Sequence, residues 1–305
     1  MVSDSINPAF KFTALGTKWC IIISNRCRNK GLIYEQLQSH VLDFENKYSR
    51  FKSTSQISLL NLERRLINPA AELVEMLELA QKWFELSGGI FNVLVADYLE
   101  KSGYNTELNF QSQNLETAII GNPLKDICIE DNKITLQGNS RIDLGGLGKG
   151  FLVDKIKDLL REKFGLINFV INAGGDIYFS SEKETETFYL NSPFSADEYI
   201  SSVKLQNQAL CSSSRFLRAW TDKNSRQKFN HLVETKTSEK MNIEFVTQSY
   251  VIANRAVIAD ILATIICLKG LNTCWISWIK NIQTQFPEQN IIVYAVVRHE
   301  LIAII

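Results

Sequence analysis

The chain has 305 residues, enough for one large domain or two modest ones with a substantial core. Thirty-three basic residues balance thirty-three acidic ones, so no domain-wide basic surplus points to nucleic acid, and a polyanionic ligand would need local geometry or a metal ion to hold it. Hydrophobic residues at 45% and charged residues at 22% are those of an ordinary globular protein.

The first twenty residues, "MVSDSINPAFKFTALGTKWC", show no basic leader followed by an apolar core, which predicts a soluble, cytoplasmic protein. "KFTALGTKWCIIIS" reads as a strand interrupted at Gly16 and then resumed. Tyr34 to Tyr48 reads as a helix with Leu37, Val41 and Phe44 on one face. The next stretch, "SRFKSTSQISLLN", holds five serine or threonine residues and reads as a loop. "NPAAELVEMLELAQKWFELSGG" predicts a stronger helix, with Pro69 near its start, Gly88 and Gly89 at its end, and a stripe of Leu73, Met76, Leu77, Ala80 and Phe84. "FLVDKIKDLLREKFG" predicts an amphipathic helix through Leu152, Ile156, Leu159 and Leu160, stopped by Gly165. "INFVINAGGDIYFS" then reads as strand, glycine turn, strand, and Thr187 to Leu210 as antiparallel strands. "IADILATIICLKG" reads as a helix and "NIIVYAVVRHELIAII" as a closing hairpin.

Strand runs come both with and without helices between them, which favours an α+β fold over a doubly wound sheet. Five prolines, no low-complexity linker and no repeat leave residues 1–305 as a single domain with no clean internal boundary. The six cysteines lack a Cys-x-x-Cys spacing; their even number permits disulfides, but reduced thiols are the expectation. The longest apolar run, "AVIADILATIICL", contains Asp260 and falls short of the about 20 residues a membrane span needs.

Three constellations carry possible chemistry. In "RIDLGGLGKGFLVDKI" four glycines fall within six positions, yet Gly148-Lys149 is followed by Gly150 rather than Ser or Thr, and Phe151 stands where a dinucleotide fingerprint needs its third glycine. Asp143, the glycine turn, Lys149 and a helix beginning near Phe151 could receive phosphate oxygens; a tight strand-to-helix turn without ligand explains the same residues. Asp260 and Thr264, four apart on one helix face, offer a carboxylate and a hydroxyl suited to Mg²⁺, or Asp260 pairs locally while Thr264 bonds back to a carbonyl. His231, in "FNHLVETKT", sits in a polar setting, whereas His40 and His299 fall on a helix and a terminal hairpin where surface roles suffice.

Together these stretches resemble the flavin transferase (ApbE) family, the FAD:protein FMN transferases. "ALGTKW" looks like the family's Met-Gly-Thr opening with Leu15 in the Met place, and "YSRFKSTSQISLLN" is similar to its Ser-Arg-Phe segment. "SGGIFNVLV" sits at Gly-Ala-Phe-Asp-Pro-Thr, "IDLGGLGKGFLVDK" at Asp-Leu-Gly-Gly-Ile-Ala-Lys-Gly, and "VINAGGDI" at Asn-Ala-Gly-Gly-Asp-Ile. "HLVETKT" stands at His-Ile-x-Asp-Pro-x-Thr and "ADILATI" at Ala-Asp-x-x-Ala-Thr. The resemblance implies mixed or antiparallel sheets flanked by helices in a T-fold-like architecture. It also implies flavin contacts at Leu15, Phe51, Ile90, Phe91, Asn92, Asp143 and Lys149, and Mg²⁺ held by Asp260, Thr264 and the main-chain oxygen of Gly146.

The implied reaction moves FMN from FAD to a threonine or serine hydroxyl of an acceptor flavoprotein, either a redox-complex subunit or a soluble flavoprotein, and releases AMP. His231 is the implied base; histidine as a residue type titrates near ~6.5, suited to the task at neutral pH. An FAD pyrophosphatase is the enzymatic alternative, and a flavin-binding protein without transfer activity the non-enzymatic one. Departures from the family pattern fall in loops. Asn92 and Val93 replace Asp-Pro, Glu234 and Thr235 replace a second Asp-Pro, Ser238 replaces a glycine, and "CSSSRF" stands at a Thr-Ser-Gly turn. Since an amide can both donate and accept, the carboxylate of an Asn92→Asp variant is expected to be tolerated.

Overall fold

A computed structural model describes residues 9–23, 29–195, 197–216, 219–223, 226–234 and 244–304. In chain order the elements are β1 (Phe10–Ala14), β2 (Thr17–Ile23), α1 (Lys30–Tyr48), α2 (Gln56–Glu63), β3 (Arg65–Ile67), α3 (Ala71–Leu86), α4 (Ala96–Lys101), α5 (Pro123–Asp126), β4 (Ile127–Glu130), β5 (Lys133–Leu136), α6 (Gly148–Asp158), β6 (Phe169–Ala173), β7 (Asp176–Ser180), β8 (Glu186–Asn191), β9 (Tyr199–Leu205), β10 (Gln208–Ser214), β11 (Ala219–Thr221), β12 (Lys228–Asn230), β13 (Val246–Ala253), α7 (Ala256–Lys269), α8 (Thr273–Gln285), β14 (Ile292–Val297) and β15 (Glu300–Ala303). Every described strand pair is antiparallel and helices accompany the sheets, so the fold is α+β. No described helix is long and apolar enough to cross a membrane. Cys20, Cys128, Cys211, Cys267 and Cys274 are free thiols, and Cys27 lies outside the described residues.

Two compact units share the chain. The first takes the described residues of Met1–Asp43, Gly148–Ser214 and Asn242–Ile305; the second takes those of Phe44–Leu147 and Arg215–Met241. Each is completed by segments far apart in sequence, so no single linker divides them and composition shows no boundary.

The first unit is built on an eight-stranded sheet in the order β1-β2-β6-β7-β10-β13-β14-β15. Leu15 and Gly16, at φ 51° and 66°, turn β1 into β2. Side chains alternate between the two faces of a strand, so one face can be followed across the sheet. It runs from the buried pairs Trp19↔Ala173, Ile21↔Ile171 and Ile23↔Phe169, through Asp176 and Tyr178 on β7, to Ala209, Cys211 and Ser213 on β10 and Ser249, Val251 and Ala253 on β13. Small residues dominate its β10–β13 part, and α7 packs there with α6 beside it. Ser249 Oγ donates to Ala263 O at 2.6 Å and Cys211 Sγ to Ala256 O at 3.4 Å, tying α7 down. On the opposite face, Phe179, Leu210, Tyr250, Ile252 and Val296 pack with Leu190, Val203 and Leu205 of the β8–β9 hairpin. With both faces covered, β13 is buried at every residue.

α6 begins at Gly148, three residues before the expected start near Phe151. Beyond Asp158 it widens into a π-type turn over Leu159–Lys163, and Gly165 at φ 64° ends the segment. The second glycine turn, Gly174-Gly175, packs closely on the first hairpin: a Cβ on Gly174 would lie 1.8 Å from Thr17 Oγ1.

In the second unit, α3 buries Leu73, Met76, Leu77 and Ala80 as the periodicity predicts, but Trp83 rather than the half-buried Phe84 completes the face. The expected loop "SRFKSTSQISLLN" is instead half helix. Ser55 caps α2 by accepting from Ser58 N at 3.0 Å, and Ile57 and Leu60 fill the core, which outweighs the local density of hydroxyls. A small sheet, β3-β5-β4, and the β11–β12 hairpin complete this unit.

Candidate active site

The first unit gathers one charged cluster. Strand alternation puts Asp176 on the helix-covered face of the sheet, where Lys149 Nζ reaches its Oδ2 at 2.6 Å, a charge contact outside hydrogen-bond alignment. The same ammonium lies 3.4 Å from Asp260 Oδ2, which also accepts from Gly150 N at 3.0 Å. Asp176 and Asp260 are 1% and 2% exposed. Two buried carboxylates facing one lysine leave an excess negative charge. Burial first, and the charge of Asp176 second, push the Asp260 carboxyl up to about 7, against the opposing pull of Lys149 and the Gly150 N–H. One turn further along α7, Thr264 Oγ1 lies 3.2 Å from Ser213 Oγ on β10.

These residues fit a hard divalent cation. The donors are carboxylate and hydroxyl oxygens, and the excess charge is what a cation would neutralise. Among the described residues no three His, Cys, Asp or Glu side chains group as a self-sufficient metal site. Mg²⁺ does not require one, because it binds through one or two carboxylates and takes its remaining ligands from waters and substrate phosphates. Gly146, the third expected ligand, lies in the turn leading to α6 and belongs to the second unit.

The glycine stretch has a reason of its own. A Cβ on Gly150 would stand 2.6 Å from Ala256 O and 2.8 Å from Asp260 Cβ, so this glycine is what lets α6 and α7 approach. Gly145 serves a turn in which its N–H donates to Asp143 Oδ1 at 2.6 Å.

In the second unit Arg50 is the hub, with its side chain 3% exposed. Its Nε pairs with Asp143 Oδ2, one terminal nitrogen donates to Tyr104 O at 2.8 Å, and the other lies 3.5 Å from Glu100 Oε1. The guanidinium covers the Phe51 ring at 4.1 Å, and Phe51 meets Tyr104 edge-on at 5.5 Å. Tyr104 stacks on Trp220 at 5.4 Å, extending the aromatic surface. The expected flavin contacts Phe51 and Asp143 therefore share one neighbour. Phe91 is 2% exposed and Ile90 half-buried.

At Asn92 it is the expected tolerance of aspartate that the hydrogen bonds overturn. Its Nδ2 donates to Gly121 O at 2.9 Å while its Oδ1 accepts from Leu94 N at 2.8 Å. A carboxylate there would set an acceptor against the Gly121 carbonyl, so aspartate is disfavoured. His231 follows β12 in the second unit, half-buried, with Leu232 and Val233 buried after it and Glu234 paired to Arg215 at 2.7 Å. Thr235 and Ser238 lie outside the described residues. Leu15 occupies the β1–β2 turn of the first unit, half-buried.

Residues 15–286 match the model of a family described as the ApbE family. The chain belongs to the ApbE family. Solved ApbE structures share its fold over nearly their whole length. The ApbE protein of Thermotoga maritima is 20% identical with a TM-score of 0.81, covering 97% of this chain and 96% of that one. The flavinyl transferase ApbE of Pseudomonas stutzeri in its apo form is 14% identical with a TM-score of 0.78, covering 97% and 94%. The flavin transferase ApbE of Vibrio cholerae is 16% identical with a TM-score of 0.72, covering 97% and 96%. Among curated protein sequences none matches.

Two residues of this ApbE chain's site carry no signal in sequence. Asp176 ends "NAGGD", and only strand parity sets it facing Lys149. Arg50, between Ser49 and Phe51, signals nothing by itself until Asp143 and Glu100 converge on it.

Proposed function

We propose that this ApbE chain is an FAD:protein FMN transferase that moves FMN from FAD to a threonine or serine hydroxyl of an acceptor flavoprotein and releases AMP. Residues 1–305 are read as one transferase domain. The observation that carries the reading is the buried Asp176–Lys149–Asp260 cluster, an oxygen-donor site with excess negative charge in a chain matched by the family model. Asp260 and Thr264 would hold Mg²⁺ with the Gly146 carbonyl; the ion supplies neutralisation of pyrophosphate charge. Lys149 places an ammonium for phosphate oxygens, and Phe51, Ile90, Phe91, Asn92, Asp143 and Leu15 form the flavin-side contacts. His231 takes the proton of the acceptor hydroxyl as its oxygen bonds to the FMN phosphorus, and the bond to AMP breaks with its electron pair leaving on AMP.

The test is to incubate the protein with FAD and Mg²⁺, with and without an acceptor flavoprotein, and follow AMP and covalent FMN by mass spectrometry. AMP released only with acceptor, matched by covalent FMN, is the expected result. AMP released equally without acceptor makes the protein an FAD pyrophosphatase, and no AMP makes it a flavin binder.

A further inference from the structure

Asp154 lies on α6, the helix that carries Lys149, and the proposed chemistry does not use it. Its side chain is 5% exposed, and its two oxygens accept from Ala256 N at 2.9 Å and Val257 N at 3.2 Å, the first two residues of α7. No side chain adjoining α7 in sequence does this: Arg255, at the cap position, makes no capping bond. The arrangement is reciprocal, because Asp260 on α7 accepts from Gly150 N in the first turn of α6. Each helix thus has its unsatisfied N-terminal N–H groups met by a carboxylate from the other. Gly150 fits between the two bridges, leaving no room for a Cβ. Lys157 Nζ and Arg255 Nε, both 3.5 Å from Asp154, complete its charge environment.

We propose that Asp154 is a positioning residue: by clamping the first turn of α7 onto α6 it sets where the Asp260 carboxylate stands relative to Lys149, and thereby the cation affinity of the site. The inference rests on the reading of Asp260 as a metal ligand. Capping alone would contribute only stability, whereas positioning predicts a change in affinity among molecules that are folded.

The experiment uses Mn²⁺ as the probe with FAD at saturation, so that substrate phosphates can complete the ion's ligands, its free-ion resonance signal reporting binding and Mg²⁺ competing it away. Asp154→Asn keeps the shape but can accept with one oxygen only, and Asp154→Glu keeps the charge while lengthening the reach. Val293→Ala, a buried position on β14, serves as a destabilised control. Wild type should bind Mn²⁺. Asp154→Asn and Asp154→Glu, each shown folded by near-ultraviolet circular dichroism, should bind roughly tenfold or more weakly. Val293→Ala should lose stability yet bind within about twofold of wild type. Folded Asp154 variants that bind as tightly as wild type would overturn the positioning role while leaving the metal reading intact. Wild type that binds no Mn²⁺ would remove the metal reading, and this inference with it.

Discussion

Asp260→Asn tests the charge balance of the site without any assay of turnover. In wild type the carboxyl is raised from 3.8 to about 7, so between those values the folded state holds a proton that the unfolded state gives up. Its stabilising share is therefore complete below about pH 4 and lost as pH rises through about 7. At pH 8, without metal, the ionised form costs about 4 kcal/mol by the linkage relation. Asparagine preserves the acceptor for Gly150 N, and its new amide hydrogens cost about 1 kcal/mol if one lacks a partner. The variant should thus exceed metal-free wild type at pH 8 by about 2–3 kcal/mol, several degrees in Tm. Thermal unfolding in a chelator at pH 5 and pH 8 measures this, and the gap should shrink at pH 5. Adding Mg²⁺ and FAD should then raise wild type by about 2.7 kcal/mol at a hundredfold excess over Kd and leave the variant nearly unchanged. A variant less stable than wild type at pH 8, or a gap indifferent to pH, would refute the account of an uncompensated buried charge.

Asn92→Asp should lower stability by about 1–3 kcal/mol, because it trades the donor to Gly121 O for an acceptor; denaturant unfolding reads the difference, and an unchanged midpoint counts against it. Gly150→Ala should cost about 1–3 kcal/mol by forcing α6 from α7, with a parallel loss of Mn²⁺ binding; equal stability would mean the helices have slack. His231→Ala should slow FMN transfer roughly 10²–10⁴-fold with FAD affinity retained, measured by single-turnover labelling and flavin fluorescence. A matching loss of affinity would make His231 a flavin contact instead.

The helices α1 and α3 are legible because their apolar residues recur at helical spacing, and the β1–β2 and β6–β7 hairpins because glycine punctuates strand-like runs. α2 is hidden by its own cap, since serines that begin a helix look like serines that fill a loop. α8, capped by Asn272, is not legible: its tryptophans and isoleucines are weak helix formers, and its buried Ile279 and Ile282 need a partner surface to become meaningful. The Asp260–Thr264 pair is visible as a polar interruption of an apolar helix. Asp176, Asp154 and Arg50 are not, because each acquires its role from residues dozens of positions away. At Asn92 residue type alone misleads, because the side chain's role depends on two hydrogen bonds, to Gly121 O and from Leu94 N, that only the fold provides.

The discontinuity of the first unit has a consequence for how the chain is made. β2 pairs with β6, but the whole Phe44–Leu147 segment is synthesised between them, so the early hairpin carries an open strand edge while another unit's chain emerges. Closing so long a loop is entropically slow, and contacts of this range delay folding. α7 lies between β13 and β14 in the chain and packs on β10 and β13. Asp260 is therefore withdrawn from water only when α7 packs on that face of the sheet with α6 beside it.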